Sequence, residues 1–262
     1  VSNYQQVCRN QIQMTKIQSS IVAGINAPDF FIFDIPYLFT DWGIAMRTLA
    51  PGSDLVDGLS DYLIKKSGAR ILTAIPVGYR ELTNNVRLVK NPNDLKGLKI
   101  RTMQAPAHIA AWKAAGANPT PMGFLEVYSA LQTGVIDGQE NPIPVFMGNS
   151  FQEVQKYLTL TRHVMSVELL LINDKFYQTL SPAQKNQLAM AAELYFYERA
   201  LEVMKQASLQ LTDIQNKKQM TVYNPTAAEI DQFRAVMQPP ASAYIKEQLD
   251  DDPFASILST KN

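Results

Sequence analysis

The stretch NDLKGLKIRTMQAPAHIAAWKAAGANPTPMGFLEVYSALQTGVIDGQENP, residues 93–142, decides the fold. It reads as strand, helix, short strand, helix, strand, with a special residue at each junction. Side chains of residues 98–102 should alternate between faces, which turns Lys99 and Arg101 away from Leu98 and Ile100. Arg101 then sits at the carboxyl end of a parallel strand, the position where open α/β sheets bind ligands. Gln104 and Ala105 turn the chain, and Pro106 suits the first position of a helix that ends before Gly116. A second helix is predicted over 123–133, stopping at Gly134, and a strand over 135–139. Asn141-Pro142 reads as an N-cap followed by a first-turn proline.

Two strand ends and two helix starts are thus aimed at one place, and that place suits an anion. Helix N-termini present unsatisfied N–H groups, and an arginine adds a planar fork matched to a carboxylate. The local pattern fits equally well an Arg101 in a surface ion pair and an Asn141 that only caps a helix.

The pieces DLKGLKIR, GANPTPM, EVYSALQTGVIDGQENP and, further on, FQEVQKYL resemble the solute-binding proteins of tripartite ATP-independent periplasmic (TRAP) transporters, the DctP-type family. Their order and spacing carry the resemblance, which extends with lower specificity over residues 17–211. It implies an α/β, two-lobed periplasmic-binding-protein-like fold with a long domain-spanning helix. It also implies that Arg101 grips a ligand carboxylate, that Asn141 lines the pocket and that Phe124 lies against the ligand. The G-x-R segment Gly78-Tyr79-Arg80 matches a second arginine of the family, and Gln104 joins the candidate lining. Family members usually open with a strand, a helix and a second strand ahead of the region matched from Ser2 onwards, and that opening is absent here. The sequence opens with Val1 rather than methionine, so a mature, processed or truncated chain is expected. The implied role is extracytoplasmic, in the periplasm. There the protein would capture a small organic acid, with a sugar acid favoured, and deliver it to TRAP membrane permease subunits as a monomer.

Composition bounds the alternatives. The chain has 262 residues, enough for one large or two modest domains, and 46% hydrophobic against 18% charged residues is ordinary for a globular protein. Acidic and basic residues number 24 each, which argues against nucleic-acid binding by bulk charge. No run approaches the length of apolar sequence that spans a membrane. The single cysteine, Cys8, excludes an internal disulfide and a four-cysteine zinc site, and reads as a small buried hydrophobe. His108 and His163 are the only histidines, so a three-histidine metal site is excluded and both read as structural or rim residues.

Elsewhere, residues 3–17 show a ragged helical pattern and residues 19–23 read as a strand, with Gly24 to Asn26 after it as a weaker candidate site. The aromatic run from Phe30 to Phe39 reads as core and hinge packing. Residues 41–50 and 54–67 are helix candidates. A strand over 69–76 delivers Arg80, for which a salt bridge with Glu81 or Asp94 is the alternative to a ligand contact. A long strand-rich region over 157–173 is interrupted near Arg162-His163, and Glu168 on it reads as a solvated face or as a cleft acceptor.

Ser181-Pro182-Ala183-Gln184 is a capping box with proline at the first helical position, and no glycine or proline follows until Pro225. A helix from Pro182 to Lys217 would be about 50 Å long, against about 30 Å for a small domain, so it should run along both domains. A coiled-coil arm fits less well because the heptad is not clean. A strand over 220–223 and a helix over 226–237 follow. Pro239-Pro240 should break that helix before a last one over 241–249 and a tail. The expected layout is one domain of residues 1–77 and 167–206 and another of 78–166 and 207–262.

The sequence holds no G-x-S-x-G, C-x-x-C, H-E-x-x-H, P-loop or G-x-G-x-x-G, and Asp137 and Glu140 are expected on opposite faces if their strand is regular. The reading is therefore a binding protein rather than an enzyme, needing no metal or cofactor. The alternative is a ligand-binding sensor, or the binding domain of an ATP-driven importer of related fold.

Overall fold

The computed structural model describes residues 2–248. Its strands are β1 (Met14–Gln18), β2 (Ala69–Asn84), β3 (Lys99–Thr102), β4 (Asn118–Pro121), β5 (Gly138–Pro142), β6 (Tyr157–Asn173) and β7 (Thr221–Tyr223). They form one mixed seven-stranded sheet in the order β1-β6-β2-β5-β3-β4, with β7 paired to β6. The helices are α1 (Asn3–Cys8), α2 (Ser19–Ile25), α3 (Trp42–Thr48), α4 (Asp54–Ser67), α5 (Pro106–Ala114), α6 (Val127–Gln132), α7 (Ile143–Gly148), α8 (Asp174–Thr179), α9 (Pro182–Asn216) and α10 (Ala227–Gln248).

The spine of the sheet is the antiparallel pair β2–β6, of 16 and 17 residues. At about 3.4 Å per residue each spans roughly 55 Å, well beyond an ordinary strand. β3 runs parallel to both β4 and β5, which puts their carboxyl ends on one edge of the sheet.

β2 does not stop at Pro76. It continues to Asn84 through register shifts between Pro76 and Tyr79 and between Arg80 and Leu82, which accommodate the missing proline N–H. Gly78 adopts φ +105°, and a Cβ there would stand 3.3 Å from Pro142 Cβ and 3.4 Å from Val203 Cγ1. Only glycine tolerates both conditions.

The expected interruption at Arg162-His163 is a bulge inside a continuous strand. Arg80 pairs with Val164 and Leu82 with Thr159, so Glu81 alone faces residues 160–163. Arg162 has φ +47°. Its N–H donates to Glu81 Oε2 at 2.9 Å, and the next residue, His163, accepts from the Tyr37 N–H at 2.7 Å. Glu81 is buried, and burial pushes its carboxyl up to about 8 against the opposing pull of the Arg162 N–H and guanidinium.

Three sequence expectations are corrected. Residues 3–17 are not one helix: α1 ends at Cys8, Asn10 takes φ +56°, and β1 follows. Residues 19–23 are helical rather than extended. Val22 and Ala23 of α2 are buried while Ile21 and Ile25 are not, a helical rather than alternating pattern, and the strand expected there lies just upstream as β1. Pro239 and Pro240 do not break α10, which buries Phe233, Met237, Ala241 and Ile245 at four-residue spacing. That packed stripe holds the helix together across the lost N–H groups. The tail expected beyond Gln248 lies outside the described residues.

The capping box at Ser181 is present, and α9 runs for 35 residues, about 52 Å. Phe196, Ala200 and Val203 enter the larger apolar core, which also holds Phe30, Ile75 and Leu169. Ile214 enters a second, smaller core with Leu131, Phe146 and Leu158. One helix thus seals both cores.

Phe196→Ala should therefore cost about 3–5 kcal/mol of stability in denaturant titration, as expected for a fully buried aromatic. Leu201→Ala, on the same helix but 62% exposed, should cost far less; equal costs would contradict the packing described for α9. A second expectation concerns pH. The folded protein holds the Glu81 proton more tightly than the unfolded chain, whose value is near 4.5. This contribution to stability is complete below about 4.5, declines as pH rises, and is gone above about 8. Melting temperatures measured from pH 5 to 9 should fall less steeply for Glu81→Gln than for the parent. Parallel curves would show that Glu81 is ionised in the fold.

Candidate functional site

The carboxyl edge of the parallel strands collects the side chains singled out by the sequence. Arg101, next to last in β3, is 3% exposed and faces the cavity described below. Its Nε and Nη2 donate to the Met122 carbonyl at 3.2 and 2.8 Å, and its guanidinium stands 5.9 Å from the Phe124 ring centre. Among the described residues no carboxylate lies within ion-pair distance of it. Burial pulls its pKa down to about 10, which leaves it a cation at neutral pH.

Arg80 is held differently. Its Nε donates to Glu140 Oε2 at 2.5 Å and its Nη2 to Glu140 Oε1 at 2.9 Å, a two-pronged pair. Nη2 also reaches the Glu140 carbonyl at 2.6 Å and Asn141 Oδ1 at 3.0 Å, and Nη1 reaches Ser166 Oγ at 3.3 Å. Neither Glu81 nor Asp94 is the partner: Glu81 takes the opposite face of β2, as strand alternation requires, and the Asp94 carboxylate accepts the Lys90 and Asn91 N–H groups.

Glu140 is fully buried and also lies 2.9 Å from His163 Nε2 and 3.9 Å from His108 Nδ1. His108 Nε2 lies 3.1 Å from Asp34 Oδ1, which in turn accepts from Ser20 Oγ at 2.5 Å. Burial alone would raise Glu140, yet Arg80 and the two histidines hold it well below the usual carboxylate range. Burial also pulls His108 down, but Asp34 and Glu140 override it and push the imidazole up to about 9. His163 goes the other way: burial lowers it more than Glu140 raises it. Arg80 and His108 therefore answer Asp34 and Glu140 charge for charge, and Arg101 is left outside the balance.

Asn141 is not a helix cap. It lies in β5, where its Nδ2 donates to Gln139 Oε1 at 2.7 Å, and α7 takes Pro142 as its N-cap. The antiparallel ladder with β2 extends β5 to Pro142 and leaves the helix start one residue later than the sequence suggested.

Arg101, Arg80, Asn141, Phe124 and Gln104 all border one cavity of about 600 Å³. The β1–α2 junction, Ser166 and Glu168 of β6, and Arg199 and Val203 of α9 border it as well. Gly24 and Ile25 border it too, whereas Asn26 accepts from the Tyr4 hydroxyl at 2.7 Å instead. Sequence reading missed Gln18, Ser20 and Arg199, which carry no local motif, and missed the Glu140 network. A carboxylate directly preceding Asn141 in a strand is the one signal that could have pointed to it. Among the described residues no group of three His, Cys, Asp or Glu side chains is placed to hold a metal ion, and no helix is long and apolar enough to cross a membrane.

The profile of the family described as bacterial extracellular solute-binding protein, family 7, matches residues 2–248. The chain is 40% identical over 219 residues to the 2,3-diketo-L-gulonate-binding periplasmic protein of Escherichia coli, covering 79% of this chain and 65% of that one. It is 33% identical over 210 residues to the sialic acid-binding periplasmic protein of Vibrio cholerae, covering 78% and 62%. The chain thus spans less than two thirds of the length of these relatives. A TRAP periplasmic solute-binding protein from Polaromonas sp. JS666, solved bound to D-erythronate, has a TM-score of 0.83 at 30% identity, covering 99% of this chain and 83% of that one. An apo, open TRAP protein from Marinobacter aquaeolei reaches a TM-score of 0.90 at 23% identity, covering 99% and 84%, a likeness of fold. A profile that takes in every described residue, on a fold shared with solved TRAP proteins, places the chain in the DctP family of bacterial extracellular solute-binding proteins.

Proposed function

We propose that this protein captures a small organic acid outside the cytoplasmic membrane, in the periplasm, and delivers it to a TRAP permease. It does so as a monomeric binding protein, not as an enzyme, and without a cofactor. The observation that carries this reading is the contrast between two buried arginines on one cavity. Arg80 spends its charge on Glu140, whereas Arg101 has no carboxylate partner among the described residues. A buried, unpaired cation is costly and is relieved by an anion that enters the cavity. Gln104 and Ala105, at the N-terminal end of α5, border the same cavity, so the positive end of a helix adds to the attraction.

The ligand carboxylate meets the Arg101 fork. Phe124 packs against the ligand body, while Asn141 and Gln104 offer hydrogen bonds to its other polar groups. Of the layout expected from sequence, the described parts, residues 2–77 and 167–206 on one side and 78–166 and 207–248 on the other, form the two lobes of this reading. The crossovers near Val77 and Ser166 border the cavity, and β2 is irregular between Pro76 and Tyr79. Hinge closure over the acid is favourable to the extent that the ligand touches both lobes more strongly in the closed form. A hydroxylated acid is preferred to a fatty or aromatic one. The diketogulonate and sialic acid named for two relatives, and the D-erythronate in a solved one, support this preference.

A thermal-shift screen of organic acids and neutral sugars should yield acids, because a bound ligand raises apparent stability by mass action. Calorimetry with the best acid should then show Arg101→Ala binding about thirty-fold to several-thousand-fold more weakly, the equivalent of about 2–5 kcal/mol. Arg101→Lys should recover only part, since an ammonium keeps the charge but loses the planar fork. Arg80→Ala should show a different defect, a loss of about 3–5 kcal/mol of folding stability, because it strands Glu140 in the interior. An Arg101→Ala protein that binds as tightly as the parent would sink the assignment.

A further inference from the structure

The aromatic segment at residues 28–39 belongs to the first lobe of the reading above, yet its far end is held by the second. On its own lobe, the 3-10 turn Pro28–Asp34 sets Phe30 against Tyr62 of α4, ring centres 6.4 Å apart, and Asp34 Oδ1 accepts from Ser20 Oγ of α2. Across the boundary, Asp34 Oδ1 also lies 3.1 Å from His108 Nε2 of α5. The Pro36 carbonyl accepts from Gln238 Nε2 of α10 at 2.8 Å, and the Tyr37 N–H donates to the His163 carbonyl of β6 at 2.7 Å. Phe31 meets Tyr244 of α10 edge to face, and the Arg234 guanidinium stands 5.5 Å from the Tyr37 ring centre. Pro36 and Gln238 are 202 residues apart, so these contacts join distant parts of the chain and are no local turn.

We propose that residues 34–37 form a non-covalent tether between the lobes, fixed by the Asp34–His108 pair and the Gln238–Pro36 hydrogen bond, and that it limits how far the lobes part. This rests on the two-lobe, hinge-closure reading. β2 and β6 cross the boundary as neighbours in one sheet, and two adjacent strands leave rotation about their common line free. The tether is made to α5 and α10, helices packed off that sheet, so it opposes the rotation that the strands permit. Its charged member resists most. Asp34 and His108 are both buried, and drawing a buried ion pair apart leaves each charge without its partner. His108 is the third residue of α5, and Gln104 and Ala105 at the start of that helix border the cavity. Holding His108 against Asp34 therefore holds that wall of the cavity near Ser20 on the other lobe. A narrow range of lobe angles keeps more of the ligand-free protein ready to bind, which lowers the conformational cost of capture.

The test is small-angle X-ray scattering of the full, ligand-free chain: the parent, Asp34→Asn, Gln238→Ala and the two combined, each checked for folding by circular dichroism. Asp34→Asn keeps an acceptor for Ser20 and leaves His108 beside Glu140, so it should fold. Gln238→Ala removes one amide from a partly buried helix position that alanine suits well. The parent should have a radius of gyration of about 18 Å, the value for a compact chain of this length. Asp34→Asn should raise the radius and the maximum dimension, Gln238→Ala should raise them less, and the combined variant most. Folded variants whose scattering superimposes on the parent's would overturn the proposal, even with lower melting temperatures, because a purely structural pair changes stability and not lobe separation. Loss of folding in every variant would assign the pair to the core and overturn it as well. Failure of the two-lobe reading looks different from failure of the tether. In the first case parent and variants alike scatter as one rigid body; in the second, parent and variants alike require the same broad range of lobe separations.

Discussion

The ion pair between Arg80 and Glu140 is the interaction on which the site depends. Both side chains are buried, and taking two charges out of water is repaid only where geometry is good and every remaining lone pair finds a donor. Here the guanidinium meets the carboxylate with both prongs, and His163 occupies one of its oxygens from the far side. His108 extends the chain of charges to Asp34, which precedes the aromatic Tyr37–Phe39 segment. Five separate stretches of chain are thereby tied to one buried carboxylate. Because the charges cancel within this network, the nearby Arg101 is left without an ion-pair partner among the described residues.

The backbone arrangement explains why this network sits at the cavity and not elsewhere. β2 and β6 are long enough to pass both apolar cores, and each becomes irregular at the same level. Gly78, with its positive φ and close contacts, lets β2 bend toward Pro142 and Val203 just before it presents Arg80. The bulge of β6 at residues 160–163 turns His163 onto Glu140 on one face while Arg162 binds Glu81 on the other. Glu81 and Arg80 are adjacent in sequence and opposite in role. One is a carboxyl held near its protonated form by burial; the other is a cation fully paired.

The sequence was most legible where physical signals are local. The capping box at Ser181 and the unbroken run after it gave α9 to within a residue. Pro106 and Gly116 bounded α5, and the alternation around Ile100 placed Arg101 at a strand end. The five candidate site residues, drawn from short motifs, all border one cavity; their roles toward a ligand are proposals. What local pattern could not show was partnership across the chain. Arg80 and Glu140 are 60 residues apart, and His108 and Asp34 are 74 apart, so neither pair leaves a spacing to read. Tertiary packing also overrode local preference at α2, where β-branched residues sit in a helix, and at Pro239-Pro240, where a buried stripe outweighs two prolines. Gln18 and Arg199 belong to unremarkable stretches, and only the fold brings them to the cavity.

The central claim is a division of labour: Arg80 is consumed by the fold and Arg101 is free for the ligand. A crystal structure of the protein with a bound organic acid tests it most directly. The account predicts the ligand carboxylate on the Arg101 guanidinium at hydrogen-bond distance, about 2.7–2.9 Å, with the Arg80–Glu140 pair intact. A carboxylate seated on Arg80, with Glu140 displaced and Arg101 still bound only to the Met122 carbonyl, would contradict it.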